Sequence, residues 1–598
     1  MALSLPLPQA RPRPAAVARR LVRWTMRQLA RVLHQVGWPL CWQGGLFFLT
    51  LGLALLPAVR LLPLPSHPDH DMSHFRLWIA WLTANGVEAA YAGLFPAQYV
   101  IYPPLMPYFY HLVGQLLTAL PQPPPALAGL WPEDGFWVEA VVRTPVVGFH
   151  ALLASIIYWS TVRWKGHLAA VAATMLYAAN PAVLFDLVYW AQPDSYHSAF
   201  VVIGLLFLLG RWPELGWAAF ALAALAKPQA WVYLPALLLV TWRRHGFAKV
   251  LSGSVFFLTA ALLVVWPYLA AGRGWEMASV FINFSRVMPV VTANAHNLWW
   301  LVLGQPGLFV ADSAIVGGPF SYQTVGLLLF LAAFTLGQLT MLGDPSRETL
   351  FGTAGFLSLA FFLFSTQVHE NHAFLVFPLL ALCWPASVRL LVVYLLLSLS
   401  MLANLALHDP LLEPQLPTLL ASWTASWLPE PLAAWVDSQQ LALLGTVLNM
   451  VAFALWLSWI FWRPGHATVP PRERQRRAGW GALVGGAATL AGGALAALLI
   501  LTPPPPPGTP PPDSLLDGRI SLKPVAEPYL RITLGGKGTT DPAAQRQQWL
   551  ILALGGPLVV ATVALAYASS QGLARSSHQQ SWRTRAAIAS ADRSARRT

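Results

Sequence analysis

Charge is what this 598-residue sequence has least of. Asp, Glu, Lys and Arg make up only 10% of it, where a soluble globular chain carries roughly 25%. So little polar surface excludes a cytosolic multidomain enzyme and a disordered chain. Cysteine is nearly absent as well: Cys41 and Cys383 are the two present, both inside apolar runs, which excludes a disulfide scaffold. Acids are outnumbered, 24 against 37 Lys and Arg. The resulting pI of about 10.0 does not mark a nucleic-acid binder, because the cations are sorted along an apolar chain. What is abundant is hydrophobic residues, 56% of the total, together with 28 Trp. An all-α polytopic membrane protein is the class this composition describes.

A span takes about 20 mostly apolar residues. Fourteen windows qualify as whole, short or broken spans, at about 41–62, 137–160, 167–187, 195–211, 215–226, 228–242, 250–270, 320–342, 350–366, 373–386, 388–406, 440–462, 479–502 and 548–570. The expected count is therefore 12 to 14. Residues 97–120 are also apolar, but Tyr102-Pro103-Pro104-Leu105-Met106-Pro107 breaks a helix near its start. They are expected to form a helix lying on the outer face. Lys227-Pro228 marks a second break, where 215–226 and 228–242 can form one hairpin.

Seven arginines (Arg11, Arg13, Arg19, Arg20, Arg23, Arg27, Arg31) precede the first span with no acid among them, which places the N-terminus inside. Alternation from there puts 26 of the 37 cations on the inner side. The division that follows is a basic inner segment 1–40, a transmembrane module 41–386 with outer loops 63–136 and 271–319, further spans over 387–502, a proline-rich outer segment 503–547, and a last span with a basic tail over 548–598.

Of the cations left over, Arg76, Arg143, Lys227, Arg273 and Arg286 fall in the first half of the chain at or near the outer ends of spans. Acids share their level: Asp69, Asp71, Glu88, Asp186, Asp194 and Glu370, with His74, His296, His369 and His372 beside them. Intramembrane charges cost several kcal/mol, so they face a cavity, pair with one another, or bind something. Cations mixed with carboxylates suit an anionic lipid headgroup and a reaction that needs a base. Mutual ion pairs between helices are the structural alternative.

Six short elements in order carry a resemblance. They are Asp71-Met72-Ser73-His74-Phe75-Arg76-Leu77-Trp78 with the Tyr102-Pro103-Pro104-Leu105 that follows it, Val142-Arg143-Thr144-Pro145, Asn180-Pro181 through Trp190-Ala191-Gln192-Pro193-Asp194-Ser195, Ala226-Lys227-Pro228-Gln229, Asn294-Ala295-His296-Asn297-Leu298-Trp299, and Val368-His369-Glu370. Over roughly residues 60–380 the chain resembles the C-type (GT-C) membrane glycosyltransferases, in particular those that extend the lipid-linked N-glycan precursor. It departs from them at His150, where relatives usually carry Asp, and at Asn371-His372, which replaces an Arg/Lys-containing sequence.

The resemblance implies a GT-C fold with a large helical first outer loop, and transfer of a hexose from a polyprenyl-phosphate donor to an outer-face acceptor with inversion. The acceptor would be a lipid-linked glycan, a polysaccharide or a protein, and the location a bacterial cytoplasmic membrane. Asp71 is then the general base, with Asp69 its rival. Arg76, Lys227, Arg286 and His369 are implied to bind the donor phosphate, and Tyr102, Gln192, Asp194, Gln229, Asn297 and Glu370 the substrates. Asp69-His70-Asp71 also has the spacing of a metal-binding pair of carboxylates, but the resembling enzymes imply no metal and no cofactor beyond the donor lipid. The rival from another class is a polytopic transporter or lipid flippase for an anionic or glycosylated substrate, which needs charges spread from outer to inner face.

Overall fold

The computed structural model describes residues 38–62, 71–92, 99–119, 136–283, 289–317, 320–409, 412–413, 415, 418 and 438–461. The expected spans 479–502 and 548–570, the proline-rich segment, Asp69, His70 and Arg286 lie outside these residues. Each of the other twelve expected windows coincides with helix.

In chain order the helices are α1 (Trp38–Leu61), α2 (Asp71–Asn85), α3 (Met106–Ala119), α4 (Phe136–Lys165), α5 (His167–Ala178), α6 (Pro181–Leu184), α7 (Asp194–Leu209) and α8 (Pro213–Ala226). They continue with α9 (Leu234–His245), α10 (Phe247–Ala270), α11 (Gly274–Asn283), α12 (Leu298–Leu303), α13 (Tyr322–Gly343), α14 (Arg347–Phe364), α15 (Val376–Cys383), α16 (Val388–Leu407) and α17 (Ser438–Phe461). A two-stranded hairpin of β1 (Ile315–Gly317) and β2 (Phe320–Ser321) precedes α13. Apart from that hairpin the described residues are all-α, the architecture of a polytopic membrane protein.

Among the described residues the count of full spans is lower than the twelve windows there suggested. Seven helices among the described residues are long and apolar enough to cross: α1, α4, α10, α13, α14, α16 and α17. An eighth results if α5 and the segment Pro181–Tyr189, bent by 45°, are taken together. Helices α7, α8, α9 and α15 have 16, 14, 12 and 8 residues, short of a 30 Å hydrocarbon core at 1.5 Å per residue. An apolar run is also what a short helix needs when protein surrounds it, so composition over-counts spans here. The same ambiguity separates long helices from one another. In α14, 83% of the apolar window is buried inside the protein, against 11% in α10. Helix α10 instead exposes Val255, Leu258, Leu263 and Trp266, as a lipid-facing helix does.

Local chemistry explains the turns. Gly166 alone separates α4 from α5 and Gly246 alone separates α9 from α10, with φ of 84° and 87°. A one-residue reversal at positive φ favours glycine, which has no Cβ to clash. The expected break at Pro103-Pro104 is where α3 begins. The Tyr268 hydroxyl donates to the Pro104 carbonyl at 2.8 Å and the Leu105 N–H to the Leu225 carbonyl at 2.9 Å, so α3 is pinned across the ends of α8 and α10. The break at Lys227-Pro228 is likewise present: α8 stops at Ala226 and a 3-10 turn over Pro228–Tyr233 leads into α9.

The C-terminal helices are not a separate layer. One hydrophobic core runs from Ala54 to Ile460, across the boundary expected near residue 386. Polar bonds add to it: Asn404 Nδ2 donates to the Asn294 carbonyl and Asn449 Nδ2 to the His296 carbonyl, both at 2.7 Å.

Candidate functional site

Four stretches far apart in sequence meet at one end of the bundle. The first is the start of α2, which carries Asp71. The second is the break between α6 and α7. Here the chain makes a π-helical turn over Phe185–Tyr189, and Ala191 takes a φ of 56°. Such turns and left-handed non-glycine residues are held only where surrounding bonds over-determine them. The bonds are present: Gln192 N–H donates to the Asp186 carbonyl at 3.0 Å, and Trp190 Nε1 donates to Asp409 at 2.8 Å.

The third stretch is Lys227-Pro228-Gln229. The fourth is the loop between α14 and α15, bearing His369, Glu370, Asn371 and His372. This loop is held by a neighbouring one. Ala293 N–H donates to the Val368 carbonyl at 3.1 Å, and Gln367 Nε2 donates to the Asp312 carboxylate at 2.6 Å.

The side chains then meet in pairs. Gln192 Nε2 donates to Asp71 Oδ2 at 2.7 Å. Lys227 Nζ donates to Asp194 Oδ1 at 2.6 Å, and Asn371 Nδ2 donates to Asp194 Oδ2 at 3.1 Å. His369 Nδ1 stands 3.9 Å from Glu370 Oε2. A small cavity beside them is lined by Asp194, His197, Gln229, Tyr233, Ser358 and His372.

Of the expected site residues, Asp71, Gln192, Asp194, Lys227, Gln229, His369 and Glu370 come together. Tyr102 sits next to them in an aromatic cluster with Phe75, Trp78 and Tyr110. Arg76 is one turn along from Asp71, with its guanidinium on Glu139, which Arg143 also approaches at 3.3 Å. Arg286 lies outside the described residues. Asn297 is spent on the fold: its Oδ1 accepts from Trp299 and Trp300 N–H to cap α12, and its Nδ2 donates to the Phe362 carbonyl. His150, the departure noted in the sequence, packs on Tyr177 and bonds the Ala178 carbonyl, a contact between helices.

Three partners carry no functional role in the sequence reading. His197 sits one turn after Asp194, a spacing that α7 puts on one face and that was legible. Glu139, four residues before Arg143, was legible in the same way. Asn371 was not, because nothing in the sequence says that it meets a residue 177 positions away.

Electrostatics sort the titratable loop residues. Burial pushes the Glu370 carboxyl up to about 8; its own backbone N–H opposes this and the Asp71 carboxylate adds to it. Burial pushes His369 down to about 4, with Asp71 pulling it up and Lys227 pushing it further down. At neutral pH His369 is therefore uncharged and carries one N–H rather than a cation, and Glu370 is largely the neutral acid.

A prediction follows for stability. Folded Glu370 holds its proton to about 8, whereas an unfolded Glu releases it near 4.3. The folded state binds the extra proton in between, so stability is full at low pH and is lost as pH rises through that window. Glu370→Gln removes this slope. Thermal midpoints of the two proteins should converge near pH 5, with the variant the more stable at pH 9. Parallel curves would show that Glu370 is ionised in the fold.

Compared with known families and curated proteins, the chain matches no family model and no curated sequence.

Proposed function

We propose that the protein is a membrane glycosyltransferase of the GT-C type, moving a hexose from a polyprenyl-phosphate donor to an acceptor hydroxyl at the outer face. The observation that carries the reading is the convergence of Asp71, Gln192, Asp194, Lys227, His369 and Glu370, from four separate stretches, at one end of an apolar helical bundle. Chemistry at one end suits a lipid-borne substrate whose tail stays in the bilayer.

In this reading Asp71 takes the proton of the acceptor hydroxyl as its oxygen attacks the anomeric carbon. The bond from that carbon to the phosphate oxygen breaks, and the electron pair leaves with polyprenyl phosphate. Positive charge near the departing oxygen stabilises the transition state. Lys227 contributes it with the N–H bonds that Asp194 does not use, since an ammonium has three. Arg76, further along α2 and held by Glu139, adds positive charge on the same side. Gln192 holds Asp71 in place, and Glu370, largely the neutral acid, puts no second charge beside it.

The test uses purified full-length protein in detergent with radiolabelled glucosyl and mannosyl esters of polyprenyl phosphate. Glycosylation of an added lipid-linked glycan or envelope polysaccharide, with release of polyprenyl phosphate, is the expected result. Binding without release of polyprenyl phosphate, combined with uptake of labelled substrate into proteoliposomes, would replace this reading with the transporter.

A further inference from the structure

Two arginines share one buried carboxylate beside the candidate site. Glu139, in the first turn of α4, is 3% exposed, and Arg143, four residues on, is 0% exposed. Arg143 Nη2 stands 3.3 Å from Glu139 Oε2, while Glu139 Oε1 accepts from Arg76 Nη2 on α2. A pair at this spacing on one helix supports that helix alone. The third member reaches a different one.

Arg143 also carries the connection onward. Its Nη1 donates to the Leu62 carbonyl at the end of α1 at 2.9 Å, and its Nη2 donates to the Tyr189 carbonyl at 3.1 Å. Tyr189 is the last residue of the π-helical turn, and three residues later Gln192 donates to Asp71. These bonds close a ring. It runs from Asp71 along α2 to Arg76, across to Glu139 and Arg143 on α4, on to Tyr189, and through the turn to Gln192 and Asp71 again.

A ring of this kind fixes what apolar packing leaves free. Helix α2 lies against α3 and the turn Val87–Tyr91, with Phe75 and Trp78 on Tyr110, and apolar contact is non-directional. Asp71 and Arg76 are five residues apart, about 140° around the helix axis at 3.6 residues per turn. Two charge-assisted bonds on different sides of a short helix fix its rotation, and with it the direction of the Asp71 carboxylate.

We infer that Glu139 is a positioning residue for Asp71, holding α2 through Arg76 in the rotation that aims the base at the acceptor hydroxyl. The inference rests on the proposed glycosyl transfer with Asp71 as its base. It adds a residue that acts without touching donor or acceptor.

The experiment is a mutant cycle on full-length protein in detergent, with radiolabelled glucosyl and mannosyl esters of polyprenyl phosphate, measuring kcat and donor Kd separately. Glu139→Gln keeps the side chain's size and removes the charge that both guanidiniums share. It should lower kcat about 10- to 100-fold, the worth of a misplacement on the ångström scale, with donor Kd within about three-fold. In an Asp71→Asn background the same substitution should lower the residual kcat by less than about two-fold, because its effect passes through Asp71. Glu139→Asp keeps the charge and shortens the reach by one methylene. It should show the same coupling with a smaller loss, and it replaces Glu139→Gln if that variant is not monodisperse. Hydrogen exchange of the α2 amides should be faster in either variant than in wild type, with α14 unchanged.

Equal losses in the two backgrounds overturn the inference and make Glu139 a support of the fold at large. A weakened donor Kd at constant kcat overturns it in favour of Arg76 acting on the phosphate. Unchanged exchange in α2 overturns the ring. Each of these leaves the glycosyl-transfer reading standing, whereas wild-type protein that transfers no sugar overturns both.

Discussion

Asp71→Asn lowers turnover by roughly 10²- to 10⁴-fold, the usual worth of a positioned general base, while the donor lipid binds as before. The geometry makes this a clean substitution. Asp71 is half-buried at the first turn of α2, and the shown partner of its carboxylate is the Gln192 side-chain N–H. An Asn oxygen accepts that same bond, so the local fold keeps its anchor and only basicity is lost. The measurement is kcat with saturating donor, beside donor Kd, for both proteins. Loss of kcat at constant Kd places the proton acceptor at Asp71. A variant that keeps more than about a tenth of the activity at pH 7 and gains as pH rises past 8 would move the base to Glu370, whose proton leaves in that range. Activity retained with no such rise would point to Asp69.

Helix positions were readable because apolar runs and proline breaks are local properties. Pro103-Pro104 and Lys227-Pro228 interrupt helices in the fold where they interrupt the pattern in the sequence. The failure was in converting runs to spans. Helix α15 is wholly buried and α7 and α8 are mostly so, and an apolar surface reads the same whether protein or lipid covers it.

The site was legible as a list and not as a map. Asp71, Lys227 and Glu370 stand out because a charge in an apolar chain is costly wherever it sits. Which charge meets which depends on loops that cross the bundle end, and one-dimensional spacing carries no record of them. Lys227 is thus on Asp194 and Arg76 on Glu139. Asn297 shows that a motif residue can also serve the fold. It is a polar residue in a motif-like run, and its side chain caps α12.

The Lys227–Asp194 pair supplies the largest stability effect. Lys227 is 5% and Asp194 1% exposed, and their 2.6 Å contact is assisted by Asn371 on the second carboxylate oxygen. Lys227→Met leaves a carboxylate buried with one amide donor, and breaking a buried pair from one side costs about 3–5 kcal/mol. Asp194→Leu leaves the ammonium unpaired at a comparable cost. The double variant Lys227→Met/Asp194→Leu leaves no charge behind, so its loss should be smaller than either single loss rather than their sum. Detergent-solubilised membrane proteins unfold irreversibly, so the readout is the temperature of half-loss of monodisperse protein at one fixed heating rate. Each single variant should fall by about 5–10 °C, with the double variant recovering at least half of that drop. Additive losses would mean that the two groups are stabilised separately. Lys227 would then keep all three ammonium N–H bonds for the phosphate, and the site would be more positive than the pair implies.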